Sequence, residues 1–153
     1  MEQQIIIRNE TSADHKLVEE ITRKSFYNLY IPGCVEHYLV HVIRDHEDFI
    51  PELDFVLELD GNVIGNIMYT KSKLTDENGK YPAAMMVKEL IPNVLKEHRW
   101  IYQHSPVMAI NEKEAMNYDD SLEKMEKKYQ PSQDEFYIMS HSFIEENGGN
   151  EQI

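Results

Sequence analysis

The sequence predicts an α+β domain with a mostly antiparallel sheet of about four strands, two N-terminal helices and further helices toward the C-terminus. Three observations favour this class. Two stretches at helical spacing follow the β-branched run Ile5–Ile7, alternating apolar residues precede a two-residue turn at Asp60-Gly61, and capping-box spacings begin at Asn111 and Ser132. At 153 residues the chain has the length of a single domain, which we expect to span residues 1–153.

Composition restricts the partners that the chain can have. Its formal net charge of -13 argues against nucleic acid, because phosphate binding needs clustered Lys and Arg, and against anionic membrane surfaces. No apolar run reaches the roughly 20 residues of a membrane helix, and the N-terminus lacks the pattern of a signal peptide. Cys34 is the only cysteine, which excludes an intrachain disulfide. These observations predict a cytoplasmic protein with no nucleic-acid or membrane partner.

The first part of the chain predicts a strand and two helices. Ile5–Ile7 is a plausible first strand, and a helix that ends at about Tyr27 follows it. Pro32-Gly33 breaks this helix, and a second helix should cover about Val35 to Asp45. Three polar residues are candidates for the N-cap of the first helix: Thr11, Ser12 and Asp14.

The middle of the chain predicts three consecutive strands. Asp54 to Leu59 alternates, and Asp60-Gly61 suits a type I′ turn. Val63 to Leu74 is apolar on both faces, which is typical of a central strand with a partner on each edge. Asn78-Gly79 is a second turn signal, so we expect Tyr81 to Leu90 to be the missing antiparallel partner.

The last part predicts extended segments around Pro106 and then two helices. Asn111–Tyr129 should be the first of these, since Asn111 and Glu114 have capping-box spacing, and Pro131 should end it. The second helix should begin at the Ser132 box and stop at Gly148-Gly149.

This order of elements resembles the N-terminal half of the GNAT superfamily of N-acetyltransferases, and most closely a bacterial subgroup that acts on small molecules or proteins. The resemblance lies in IIIRNETSADHKLVEEITRKSF and GCVEHYLVHVIRDHEDFIPELDFVLELDGNVIGNIMYTKSKL. YPAAMMVKELIPNVL resembles the last strand of the subgroup, and SPVMAINEKEAMNYDDSLEKMEKKYQPSQDEF its C-terminal tail. The resemblance thus implies a partial fold: residues 1–74 as the N-terminal half, 75–80 as a junction, 81–95 as the last-strand region and 96–147 as a helical tail.

Intact members of this family hold acetyl-CoA through a Q/R-x-x-G-x-G/A loop that opens a helix, where backbone N–H groups bind the pyrophosphate. None of the six glycines here lies in that pattern. The strand that carries the family's frequent Glu base and the Tyr that often acts as its acid are also missing. The resemblance therefore implies acetyl-CoA as cofactor, while the missing loop predicts weak or absent acetyl transfer by the chain alone. The sequence assigns no catalytic or cofactor-binding residue.

By the same resemblance, the region from Tyr30 to His41 faces the acceptor substrate. The predicted substrate-side groove contains Tyr30, Cys34, His37 and His41. His37 and His41 are four residues apart, so a helix places them on one face. A metal site with Glu36 or His46 is one interpretation, but two His without a third ligand at a known spacing fit half-buried, hydrogen-bonded rings better, and no metal is predicted.

Cys34 has two interpretations. It could be a nucleophile with His37 as its base, but a small, partly buried thiol is the simpler one. Three functions stay open for the chain as a whole. It is an N-acetyltransferase for a small-molecule amine or a protein, a non-catalytic remnant that binds a ligand or protein, or a homo-oligomer that associates through an exposed sheet edge.

Overall fold

The computed structural model describes residues 3–76, 81–82, 92–93 and 100–144. In this part of the chain, four helices accompany a three-stranded antiparallel sheet and two short two-stranded ladders. The predicted α+β class is therefore confirmed.

The described helices are α1 His15–Phe26, α2 Glu36–Ile43, α3 Glu112–Asp120 and α4 Pro131–Ser140. The described strands are β1 Ile5–Asn9, β2 Phe55–Leu59, β3 Asn62–Ile67, β4 Lys73–Asp76, β5 Tyr81–Pro82, β6 Trp100–Gln103 and β7 Phe143–Ile144. Two single-turn 3₁₀ helices cover Pro51–Leu53 and Pro106–Met108.

The main sheet has the order β1-β2-β3, with β2 antiparallel to both neighbours. Asp60 and Gly61 join β2 to β3 with φ angles of 51° and 79°. Both angles are positive, as a type I′ turn requires, so the predicted hairpin is confirmed. The register shifts between Leu57 and Glu58, which leaves Ile64 as an extra residue in β3 and increases the local twist.

The apolar core lies between α1 and this sheet. Val18 has no exposed surface and packs with Val56 and Val63, while Ile21 and Val40 pack against the group from α1 and α2. Among the residues that the structure describes this core is small, and the polar contacts of the helices lie beside it.

The prediction of one long central strand from Val63 to Leu74 is wrong. β3 ends at Ile67, and the backbone of the next residues bonds to the connection after α2, where the Ile50 N–H donates to the Tyr69 carbonyl at 3.0 Å. The Lys71 N–H likewise donates to the Asp48 carbonyl at 2.8 Å. The chain then changes partner, and β4 pairs with β6 instead. Apolar residues on both faces therefore mark a segment that changes partner, not one central strand.

For Tyr81 and Pro82, the expected pairing of Tyr81 to Leu90 with the Val63 strand is also wrong. Tyr81–Pro82 forms a ladder with Phe143–Ile144. The predicted turn at Asn78-Gly79 and residues 83–90 lie outside the described part of the chain. Among the described strands, β3 pairs with β2 alone.

The predicted cap of the third helix is confirmed, but its predicted length is wrong. The Asn111 side-chain oxygen accepts hydrogen bonds from the backbone N–H groups of Lys113 and Glu114, and its amide group donates to the Glu114 carboxylate. The helix nevertheless ends at Asp120, and residues 121–130 carry no further helix. Carbonyls of this segment accept hydrogen bonds from the side chains of α1 and the α1–α2 connection instead.

The last predicted helix is displaced for a similar reason. Pro131 begins α4 as its first residue, a position that tolerates the missing N–H, whereas we expected it only to end the preceding helix. The Ser132 hydroxyl donates to the Leu29 carbonyl and does not cap. The helix ends at Ser140, and residues 143–144 are a strand where a helix was expected.

Replacing Val18 by Ala should lower the free energy of unfolding by about 2 kcal/mol, because two fully buried methyl groups leave the core. Urea denaturation measures this change. The matched control is Leu17→Ala on the same helix, where the side chain is 40% exposed. A loss for Val18→Ala no larger than for Leu17→Ala would contradict this description of the core.

Candidate functional site

The four residues of the predicted groove do not form one open site. Tyr30 and Cys34 lie in the connection between α1 and α2, and His37 and His41 lie on α2. The ring of Tyr30 stacks on Phe136 of α4, with 4.4 Å between the ring centroids. The C-terminal part of the chain therefore covers this end of the predicted groove.

Cys34 is not set up as a nucleophile. Its side chain is buried, and the thiol donates to a carboxylate oxygen of Glu36 at 3.2 Å. Burial raises the pKa of the Cys34 thiol to about 12, which leaves almost no thiolate at neutral pH. The interpretation of Cys34 as a small buried thiol agrees with these contacts.

His37 is completely buried and neutral. Within the described part of the chain neither ring nitrogen has a hydrogen-bond partner, although Nε2 lies 3.5 Å from Oδ1 of Asp119. Burial lowers the pKa of His37, because the imidazolium loses its hydration and the nearby Asp119 offsets only part of that loss. His37 therefore packs α2 against α3 and is not available as a base for Cys34.

Tyr118 of α3 joins the two histidines. Its ring stacks on His41 with 4.6 Å between centroids and on His37 with 5.5 Å, so the two histidines share one face of α2 as their spacing predicted. The Tyr118 hydroxyl donates to Oε2 of Glu19 at 2.5 Å, and Nδ1 of His41 lies 3.1 Å from Oε1 of the same carboxylate. Burial and the Glu19 carboxylate raise the pKa of Tyr118, so the phenol stays protonated.

A chain of buried charges continues from Glu19 to the sheet. Arg44 donates to Glu19 at 2.9 Å and to Oε1 of Glu10 at 2.6 Å. The remaining oxygen of Glu10 and Oδ1 of Asp54 are both buried and have no hydrogen-bond donor among the described residues. Burial and the neighbouring Glu10 carboxyl group raise the pKa of Asp54 to about 7. Arg44 thus bonds two carboxylates but not Asp54, and burial beside Glu10 favours a proton retained on Asp54.

A buried ion pair fixes α3 to α1. Nε of Arg23 donates to Oδ1 of Asp119 at 2.8 Å, and both side chains are almost fully buried. The guanidinium also donates to the Glu123 carbonyl at 2.9 Å and lies over the ring of Tyr27. Removing either partner of such a pair leaves an uncompensated buried charge, so this contact should be important for the packing of α3 on α1.

Asn28 fixes the next part of the chain. It has a φ of 61°, a left-handed conformation that Asn tolerates better than most residues. Its side-chain oxygen accepts from the N–H groups of Gly33 and Lys128, both at 2.9 Å, and its amide group donates to the Glu126 carbonyl at 2.9 Å. We call residues 121–130 the strap, because they cross the end of α1 in this way.

An open cleft of about 590 Å³ remains between α1 and the strap. Both signs of charge line it, together with an aromatic ring and apolar side chains. Its walls include Lys16, Glu20 and Lys24 on one side and Tyr118, Leu122 and Glu123 on the other. Lys24 is paired with Glu20 at 2.5 Å along the exposed face of α1.

The contacts of the possible metal ligands do not bring them together. Glu36 accepts from Cys34, and Nδ1 of His46 accepts from the Asp48 N–H at 3.1 Å. Across residues 3–76 and 100–144 and the two short described pieces, no group of three or more His, Cys, Asp or Glu side chains is arranged to hold a metal ion.

Several residues that build this region carry no local sequence signal. Arg23, Asn28, Tyr118 and Asp119 become important only through partners about 100 positions away in the chain. The Asn28–Gly33 contact is the one part that local sequence could have suggested, since Asn and Gly are the residues most tolerant of positive φ.

No family model, no curated protein and no solved structure matches this chain. Among the helices that the structure describes, none has both the length and the apolar character needed to cross a membrane.

The Glu10–Asp54 pair should make stability depend on pH. The pKa of Asp54 is about 7 in the fold against 3.8 as its ordinary value, so the folded state holds a proton that the unfolded state releases. The free energy of unfolding should therefore fall as pH rises from about 4 to about 7. Asp54→Asn should weaken this dependence and raise stability at pH 8, as measured by urea denaturation across the pH range.

Asp120→Asn is the control, because Asp120 is exposed, and its pH profile should match the unchanged chain. An Asp54→Asn variant with the same slope between pH 4 and pH 7 as the unchanged chain would contradict a proton retained on Asp54.

Proposed function

We propose that this chain is a non-catalytic binding domain derived from an N-acetyltransferase-like fold, with acetyl transfer weak or absent when it acts alone. One observation carries the proposal: the groups on the presumed acceptor face are either buried or bonded to a neighbouring side chain. Tyr118 and Glu19 share a hydrogen bond, His37 is buried and neutral, and the thiol of Cys34 is protonated. None of these groups is poised to take a proton from a substrate.

The ligand-binding part of the proposal rests on the cleft between α1 and the strap. The ring of Tyr118 and the carboxylate of Glu123 suit an ammonium group, and the lysines Lys16 and Lys24 on the facing helix suit an anionic one. A small amine that also carries an anionic group fits this lining. The net charge of -13 favours the amine and disfavours nucleic acid and anionic membranes. We also propose a cytoplasmic location for the protein.

Acetyl transfer from acetyl-CoA to a small-molecule amine or a protein is the second candidate. The order of β1, α1, α2, β2 and β3 favours it, because it is the order expected for the N-terminal half of the GNAT superfamily. In that reaction the amine attacks the thioester while a base removes its proton and an acid protonates the sulfur.

Calorimetric titration with acetyl-CoA separates the two candidates. We expect no binding up to millimolar cofactor and no release of free thiol in the presence of amines. Micromolar binding together with thiol release would overturn the non-catalytic reading and favour acetyl transfer.

A thermal-shift series with small amino acids and other amines tests the cleft. A ligand of this class should raise the melting temperature, because it binds only the folded state. Glu123→Gln should reduce the shift, whereas Glu135→Gln on the exposed surface of α4 should leave it unchanged. No shift with any such amine at millimolar concentration would exclude this ligand class, independently of the result with acetyl-CoA.

A further inference from the structure

The cleft between α1 and the strap is a groove that follows the axis of α1. Three hydrogen-bonded contacts hold its far wall against the helix, in order along the chain: Tyr118 with Glu19, Glu123 with Arg23 and Met125 with Tyr27. The order is the same on both sides, so the chain that leaves α3 runs in the direction of α1. Position along α1 therefore measures position along the groove.

Most of the charges that line this groove are already paired within the protein. The pairs are Glu19 with Arg44, Lys24 with Glu20, and Arg23 with Asp119. Glu20 receives its hydrogen bond from Lys24, which is the main reason that its pKa is lowered, and Lys16 adds only its charge. Among the residues that the structure describes, the Lys16 ammonium forms no ion pair and the Glu123 carboxylate accepts no hydrogen bond. The described walls of the groove therefore offer a ligand one cation and one anion.

These two charges lie at different levels of α1. The backbone of Glu123 is bonded to Arg23, which is seven residues after Lys16 and thus about 10 Å farther along the helix at roughly 1.5 Å per residue. Because the side chains of a helix lean toward its N-terminus, the stem of Lys16 starts away from Glu123. The ammonium and carboxylate of an α-amino acid are separated by one carbon atom, so such a ligand is too short to meet both charges.

The wall between the two charges suits an apolar chain. Its two hydroxyl groups are occupied, since that of Tyr118 donates to Glu19 and that of Ser121 donates to the Tyr118 carbonyl at 2.6 Å. The ring of Tyr118 and the half-buried Leu122 supply apolar surface. A peptide linker would lose hydration of its amide groups here without gaining these hydroxyls as partners, whereas a methylene chain loses nothing.

We propose that the groove binds a linear amino carboxylate in which an apolar chain holds the ammonium and the carboxylate about 10 Å apart. The carboxylate meets Lys16, the chain lies along Tyr118 and Leu122, and the ammonium meets Glu123. This inference rests on the binding function proposed above and narrows its ligand to long, linear zwitterions. An extended tripeptide, at roughly 3.3–3.6 Å per residue, is the other source of the same charge spacing.

Isothermal calorimetry with linear amino acids that carry the amine on the terminal carbon tests the charge spacing. Affinity should rise with chain length from glycine to aminooctanoate, which should bind at least about tenfold more tightly than glycine. Octylamine and octanoate each lack one of the two charges, so both should bind more weakly than aminooctanoate. Trialanine tests the peptide source: if it binds as tightly as aminooctanoate, the apolar linker is rejected.

Two variants assign the ends of the ligand. Lys16→Gln should reduce the affinity for aminooctanoate to that for octylamine, and should leave octylamine binding unchanged because octylamine has no carboxylate. Glu123→Gln should reduce it to that for octanoate and leave octanoate binding unchanged. Lys113→Gln, on the exposed surface of α3, is the matched control and should bind all three probes like the unchanged chain.

The outcomes separate this inference from the function on which it rests. If no amine of the series binds at millimolar concentration, the proposed binding function and this inference both fail. If glycine binds as tightly as aminooctanoate, the groove binds amines but the wide charge spacing is rejected. Unchanged aminooctanoate binding by Lys16→Gln, with the variant native by circular dichroism, would likewise overturn this inference alone.

Discussion

The side-chain amide of Asn28 joins the connection between α1 and α2 to the strap. It bonds the N–H of Gly33, the carbonyl of Glu126 and the N–H of Lys128, while the backbone carbonyl of Asn28 accepts from the side-chain amide of Gln133. Loss of this amide would leave several polar groups unpaired at once, each at a cost of about 1–3 kcal/mol where it is buried. This side chain therefore fixes the strap against the α1–α2 connection, and α4 bonds the backbone of the same residue.

The same arrangement explains why the polar interior is so extensive. Within the described ranges the apolar core around Val18 is small, and buried charges and stacked rings attach α2 and α3 to α1. Arg23 and Arg44 each bring a guanidinium into contact with carboxyl groups that are largely buried with it. Such networks are costly to break and specify one arrangement of helices, but they also consume the acid and base groups that a catalyst would need free.

Local signals predicted the parts of the fold that depend on near neighbours. Asp60-Gly61 specified the hairpin, Asn111 specified the start of α3, and the spacing of His37 and His41 placed them on one helix face. Predictions failed where a distant partner decides the structure. The helix expected over residues 111–129 stops at Asp120, and side chains of Arg23, Tyr27 and Asn28 bond carbonyls of the residues that follow. Pro131, which was expected to end that helix, begins α4 instead. A single sequence contains no signal for partners about 100 residues apart.

The candidate site shows the same division. The sequence suggested His37 as a base for Cys34, but the thiol bonds Glu36 instead, and burial favours the neutral form of both groups. Tyr118, which fills the face between the histidines, was not predicted, since only the tertiary fold brings α3 to α2. The resemblance to N-acetyltransferases and the filled face together lead to a binding domain as the proposed function.

Amide hydrogen exchange, followed residue by residue by NMR, tests the central claim that the strap closes this face. The N–H groups of Lys128 and Gly33 lie outside every helix and strand, yet both donate to the Asn28 side chain. Both should exchange far more slowly than in an unfolded chain, and Asn28→Ala should remove the protection of both together. Free exchange of the Lys128 amide in the unchanged, folded protein would contradict it.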